Sequence, residues 1–468
     1  MGDPIHQTGA GKASMGGWTG AVRGLREILR PFFGLPHSQR AAFAPGSETP
    51  PETGSHPSPA QASGPGPPGG GALPPRPPPG IGDRSVRPQA RKRRPPRRWG
   101  MRILVLNWRD PHNPEAGGAE VHLHEIMKRT VSAGHEVVQV SQAVQGLPRE
   151  EEIDGLRILR HGRRNTFNWT LKPFCKKLGL QSFDLIVEDL CKLPFYSPRW
   201  SDTPVLVVVP HLFGTTAYRE VALPLALYVN LLEKLIPRVY GGCRFVAISD
   251  STRNDLVRRG IPGEDIEVVP CGIDTEIYFL DETRPIPGTI LYVGRIKRYK
   301  GIHYALQALS ALRERGVECR LTVLGSGDYL DRLQRMAVDM GLEGLVSFEG
   351  FVPLREKLRR LRESWVAVFP SEKEGWGLTV IEANACGTPV VASDSEGLRD
   401  SVRDGETGLL VPHGKPIRLA DALQRILQSP DLRSSLSDNA LRWAKSFDWE
   451  STASRMLEIM EKTASVDP

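Results

Sequence analysis

From Met101 onward, short runs of Val, Ile and Leu alternate with longer stretches in which apolar residues recur every three or four positions. The short runs at 102–107, 136–141, 185–188, 205–210, 245–248 and 266–270 predict strands. Their apolar residues follow one another without polar alternation, as in a parallel sheet covered on both faces. The stretches between, such as 118–133 and 223–240, predict the covering helices. The pattern then restarts, with strands at 289–293, 320–324, 346–349, 367–369, 390–392 and 409–411 and helices at 303–315 and 328–340. Asp, Glu, Thr and Pro break both periods between 274 and 287, where one domain gives way to the next. The chain therefore reads as α/β, with two doubly wound Rossmann-like domains facing a central cleft. Ligands of such sheets bind beyond the C-terminal strand ends.

The first hundred residues follow neither period. They hold 19 of the 40 prolines and carry 14 Lys/Arg against 5 Asp/Glu, while the whole chain is only +7. The remaining chain is thus close to neutral; the basic pI of the whole belongs to the tail and is no argument that the remainder binds nucleic acid. Residues 41–98 are rich in Pro, Gly, Ser and Ala, too poor in apolar surface to offset ordering entropy, and are expected to be disordered. The basic cluster 91–98 suits an anionic membrane or nucleic acid, and residues 22–33 a short basic amphipathic turn at a membrane surface. The abrupt change at Gly100–Met101 favours another reading, in which the tail is translated upstream sequence and the natural start is Met101.

No run approaches the roughly 18 apolar residues of a membrane span, and no apolar signal-peptide core follows the first residue. The six cysteines are scattered without a Cys-x-x-Cys pair, as expected of reduced thiols in the cytoplasm.

One segment concentrates chemistry: Glu374-Gly-Trp-Gly-Leu-Thr-Val-Ile-Glu382. Glu374 precedes two glycines and belongs to a loop. Leu378 opens a helix in which Glu382 is the only charge, one turn beyond Leu378 and Thr379. A helix start has free amides and a partial positive charge, which attract phosphate. Loop carboxylate, helix start and second carboxylate match in order the sugar hydroxyls, diphosphate and ribose diol of a nucleotide sugar. A buried helix with one paired glutamate is the plain alternative.

This run resembles the Glu-x7-Glu motif of retaining glycosyltransferases of the GT-B fold, family 4 in particular. Val293-Gly294-Arg295-Ile296 with Lys300-Gly301 resembles that family's phosphate loop, and Gly117-Gly118-Ala119-Glu120 its first glycine loop. Ser249-Asp250-Ser251-Thr252, Cys271-Gly272-Ile273-Asp274 and Leu324-Gly325-Ser326-Gly327 resemble further recurring segments, so that the likeness covers roughly residues 101–466. It implies a tail over 1–100, an acceptor-side domain over 101–275, a nucleotide-sugar domain over 276–446 and a last helix, 447–466, crossing back to the first domain. The donor would be a GDP- or UDP-linked hexose and the acceptor a glycan or lipid-linked glycan of the cell envelope. The enzyme would be cytoplasmic, with peripheral contact at the inner face of the membrane.

Several side chains gain roles from this likeness. Arg295 and Lys300 offer a planar fork and a point charge for a diphosphate, although a solvated basic loop would look the same. With no Asp-x-Asp in the chain, neither metal nor cofactor is expected. Glu374 would hold sugar hydroxyls. His211, after the strand at 205–209, would contact donor or acceptor hydroxyls unless it is a structural loop histidine. Gly117, Gly118, Gly294, Gly325, Gly377, Leu378, Thr379 and Glu382 would complete the donor site. His122 and His124 lie two apart on one helix, do not share a face and are expected to pack. The run 224–233 beside Arg219 suits a buried core helix or, less well, a lipid acceptor. An epimerase, a phosphorylase or a non-catalytic nucleotide-sugar-binding protein would carry similar motifs.

Overall fold

The computed structural model describes residues 100–465 apart from 165 and 221. The expectations for the basic cluster and the tail fall outside them. Two α/β sheets account for the rest. The first has eight strands in the order β3-β4-β2-β1-β5-β6-β7-β8. These are β1 (Arg102–Leu106), β2 (Glu136–Gln142), β3 (Glu150–Ile153), β4 (Leu156–His161), β5 (Leu185–Asp189), β6 (Val205–Val209), β7 (Arg244–Ala247) and β8 (Ile266–Val268). All pair in parallel except the edge hairpin β3–β4. The second has six parallel strands, ordered β11-β10-β9-β12-β13-β14. They are β9 (Ile286–Val293), β10 (Arg320–Leu324), β11 (Val346–Gly350), β12 (Ser364–Phe369), β13 (Val390–Asp394) and β14 (Gly408–Pro412).

The hydrophobic pattern missed only the hairpin. Glu150-Glu-Glu-Ile is too charged to read as a strand, yet its two-residue turn is Asp154-Gly155, both at positive φ (50° and 78°). Asp-Gly between short strands is a strong hairpin signal, because both turn positions need the left-handed region. The helix expected over 223–240 is two helices, Leu223–Lys234 and Ile236–Val239. Pro237 has no N–H to give to the preceding turn, so the first helix stops short of it.

The run 224–233 departs from a core helix. Ala226, Val229, Leu232 and Glu233 are buried, but Leu223, Leu225, Leu227 and Leu231 are exposed. Only one face of this helix meets the protein.

In each sheet, Val, Ile and Leu on both faces meet helices. Leu123, Ile126 and Met127 of the helix Gly118–Ser132 pack against Ile103, Val105, Val137 and Leu185. The last helix, Trp449–Ala464, adds Met456, Ile459 and Met460 to that same core, far from its neighbours in sequence. Thr452 Oγ1 donates to the Pro270 carbonyl at 3.2 Å, and a Cβ on Gly272 would come 2.6 Å from the Trp449 nitrogen. Each fully buried aliphatic side chain is worth about 1.5–3 kcal/mol relative to exposure.

Candidate active site

The loop leaving β1 is pinned before it reaches the glycines. Arg160 grips Asp110 in a two-pronged contact, Nη2–Oδ1 at 2.7 Å and Nε–Oδ2 at 2.8 Å, and both side chains are fully buried. Gly117 then caps the helix Gly118–Ser132, and its N–H donates to Glu120 Oε2 at 2.8 Å. No atom lies within 4 Å of where a Cβ on Gly118 would stand, so the backbone there is open to an incoming group.

A second loop faces it. A Cβ on Gly117 would lie 3.6 Å from Cζ and 3.8 Å from Nη1 of Arg295, so the Arg295 guanidinium reaches across from the end of β9 to the first glycine loop. Gly294 has φ 151°, and the Tyr292 hydroxyl donates to the Arg295 carbonyl at 2.9 Å. Gly325 backs this loop: its N–H donates to the Gly350 carbonyl at 2.7 Å, and any Cβ would overlap the Gly294 carbonyl oxygen. Its glycine requirement is thus accounted for by loop packing. Gly301, at φ 70°, stands against the Pro370 carbonyl and so ties Lys300 to the end of β12.

There Lys300 meets the motif. Its Nζ lies 2.5 Å and 2.7 Å from the two carboxylate oxygens of Glu374. Burial opposes the charge on each, but the partner outweighs it: Lys300 is held above its ordinary pKa and Glu374 below. Arg295 is likewise raised, burial being outweighed by Tyr299, Glu120 and Glu374. Gly375 lets the motif loop close on β6, since a Cβ there would come 2.7 Å from the Pro210 carbonyl. His211 therefore stands beside the motif. Burial, then Lys373, Arg295 and Lys300, push its pKa down to about 4 against the pull of Glu374. The ring is neutral at pH 7, able to donate from one nitrogen and accept at the other.

Gly377 (φ 94°) caps the helix Leu378–Ala385, and the amides of Val380 and Ile381 return to its carbonyl. Those of Leu378 and Thr379 have no acceptor among the described residues, so this helix start keeps two free donors. Glu382 is buried one turn further on. Lys357 Nζ sits 2.6 Å from its Oε2, 3.1 Å from the Tyr278 hydroxyl and 5.2 Å above the Tyr278 ring. Sequence reading missed Lys357 and Tyr278. Lys357 lies in the strongly charged helix Leu354–Glu363, and nothing distinguished it from its solvated neighbours.

Asp189, at the end of β5, was also missed. It is 1% exposed, with Cys191 beside it, and burial followed by Glu120 raises its pKa. His122 is buried beside Trp449 with no hydrogen-bond partner among the described residues, and His124 Nε2 lies 2.8 Å from Asp154, so both are packing residues. Among the described residues no three His, Cys, Asp or Glu side chains gather as a metal site, and no helix is long and apolar enough to cross a membrane.

Arg295 and Lys300 thus meet the carboxylate of Glu374 beside a neutral histidine, with the first glycine loop opposite. Comparison with known proteins agrees. Residues 280–443 match the model for glycosyl transferases group 1, and residues 116–277 that for glycosyltransferase family 4. A D-inositol 3-phosphate glycosyltransferase from Frankia alni is 35% identical over 388 residues, covering 74% of this chain and 95% of that one. The chain belongs to glycosyltransferase family 4. A glycogen synthase from Mycobacterium tuberculosis is 28% identical over 77% of this glycosyltransferase and 94% of its own length. Sucrose-phosphate synthase from Thermosynechococcus elongatus shares the GT-B fold, with a TM-score of 0.66 at 23% identity over 77% of this chain and 98% of that one. This glycosyltransferase uses a sugar-nucleotide donor.

Proposed function

We propose that this glycosyltransferase moves a hexosyl group, of mannose or glucose type, from a GDP- or UDP-linked donor to a hydroxyl of a glycan or lipid-linked glycan, with retention of configuration and without a metal. The observation that carries the reading is the meeting of Arg295, Lys300 and Glu374 opposite Gly117 and Gly118. The two cations and the open helix amides take the place of a metal at the diphosphate. Glu374 holds sugar hydroxyls, and Glu382, with Lys357 and Tyr278 around it, holds the ribose. Gly294 and Gly325 shape the floor beneath the phosphates. His211, neutral, hydrogen-bonds a sugar or acceptor hydroxyl. The departing phosphate accepts the acceptor's proton on the same face, which preserves configuration; a separate base on the opposite face would invert it.

The six free cysteines support a reducing, cytoplasmic setting, and peripheral contact at the inner membrane face would bring a lipid-linked acceptor within reach. Thermal-shift titration with GDP, UDP and their hexose conjugates, with and without EDTA, tests the donor. Binding raises the melting temperature by mass action, so one conjugate should stand out whether or not the chelator is present. Release of nucleoside diphosphate only when an acceptor is supplied separates transfer from epimerisation and phosphorolysis.

A further inference from the structure

Outside the cleft, a groove of about 720 Å³ opens where β4 ends and the helix Phe167–Lys177 begins. Arg149, His161, Gly162, Arg163, Thr166 and Phe174 line it. Of the arginines that line it, Arg160 is committed to Asp110 and Glu151, but among the described residues no carboxylate lies within salt-bridge distance of Arg149 or Arg163. The nearby acids are already taken. Glu150, which also lines the groove, is held by Arg157 at 2.7 Å, while Glu151 and Asp110 are each held by Arg160 at 2.7 Å. His161 is stacked on Phe174, centroids 4.1 Å apart and rings 14° from parallel, which makes a flat wall. Burial, and after it the charges of Arg149 and Lys177, lowers its pKa.

The groove also shares a rim with the first glycine loop. β4 runs parallel to β2, and β2 to β1, so their C-terminal ends open on the same side. Arg164 Nη1 reaches Glu115 Oε1 at 2.7 Å, two residues before Gly117. A molecule with its reacting hydroxyl in the cleft can therefore extend along this rim into the groove.

We propose that the groove between β4 and the helix Phe167–Lys177 is an acceptor subsite, which seats a phosphate ester of the acceptor on Arg149 and Arg163 and the ring bearing it on the His161–Phe174 stack. The inference rests on the transferase reading above. Two guanidinium forks without carboxylates suit phosphate oxygens, and the volume exceeds what a bare ion needs and matches a small ligand.

Calorimetric titration of the full chain tests this, with glucose 6-phosphate, glucose and inorganic phosphate as soluble probes and vesicles of phosphatidylglycerol or phosphatidylcholine as the lipid arm. Wild type should bind a phosphate-bearing probe at least about tenfold more tightly than its neutral counterpart, as expected for one charge-assisted contact. The double variant Arg149→Ala/Arg163→Ala should lose that preference while its affinity for nucleoside diphosphate is unchanged. Preference for glucose 6-phosphate identifies a soluble phosphorylated acceptor, and preference for phosphatidylglycerol vesicles alone a lipid-borne one. Either supports the subsite. Equal binding of charged and neutral probes, an unaltered preference in the double variant, or displacement of the probe by nucleoside diphosphate overturns it. Failure of the transferase reading looks different: no nucleoside diphosphate would bind at all.

Discussion

Arg295, Lys300 and Glu374 form one charged unit, and replacing any member leaves the charges of the others miscompensated. Arg295→Ala and Lys300→Ala should each lower kcat/KM by about 1.5–3 kcal/mol equivalent, and by more if the lost charge acts chiefly in the transition state. Circular dichroism should show the fold intact, and wild-type rates in either variant would remove them from the phosphate site. Glu374→Gln should reduce single-turnover transfer while free nucleoside diphosphate still binds. Glu382→Gln should weaken diphosphate and donor binding alike, because an amide offers one acceptor oxygen to a diol where a carboxylate offers two. The opposite pattern would reverse the donor along the motif.

His211 adds a pH test. Its folded pKa is lowered from 6.5 to about 4, so between these values the unfolded chain binds the extra proton and the native ring stays neutral. His211 therefore opposes folding as pH falls through that window and has no such effect above it. The kcat/KM profile should show no limb near pH 6.5 that is absent from His211→Ala.

At the scale of elements, the sequence was most legible where physics leaves one solution. The Val, Ile and Leu runs located β1 and β5 because strands buried on both faces must be apolar throughout. Glycine positions were legible too, though not always their reasons. Gly117 and Gly118 mark an open helix start, whereas Gly325 is required by the carbonyl of Gly294 and Gly375 by that of Pro210. Lys357 and Asp189 were not legible, because burial and pairing across distant segments leave no trace in local spacing. The β3–β4 hairpin was legible through Asp154-Gly155, but three successive glutamates hid it. Gly375→Ala should accordingly act as a shape change at the contact between motif loop and β6. It should lower turnover without altering the helix Leu378–Ala385, and hydrogen exchange of that helix should match wild type. Unchanged turnover would mean that Pro210 yields and the contact is not needed.

At the scale of the molecule, the two sheets are joined by more than the chain between them. Arg258 lies 2.8 Å from Glu396 and Lys373 3.7 Å from Asp255, Arg219 pairs with Glu372, and the Ser251 amide donates to Asp400 at 3.3 Å. These contacts are mostly exposed and weaken with salt. The last helix is a different kind of join. Met456, Ile459 and Met460 are fully buried in the core of the first sheet, although the helix follows the whole second sheet in sequence. The core of the first sheet is therefore incomplete until that helix has been made. Met460→Ala should cost about 2–5 kcal/mol through lost transfer energy and the cavity left behind. Hydrogen exchange locates that loss. Amides of β1 and β5 should exchange faster, because they pack against this helix, while those of β9 and β12 should keep wild-type protection. Equal acceleration in both sheets would show that the molecule unfolds as one cooperative unit, and that the helix supports the second sheet as much as the first.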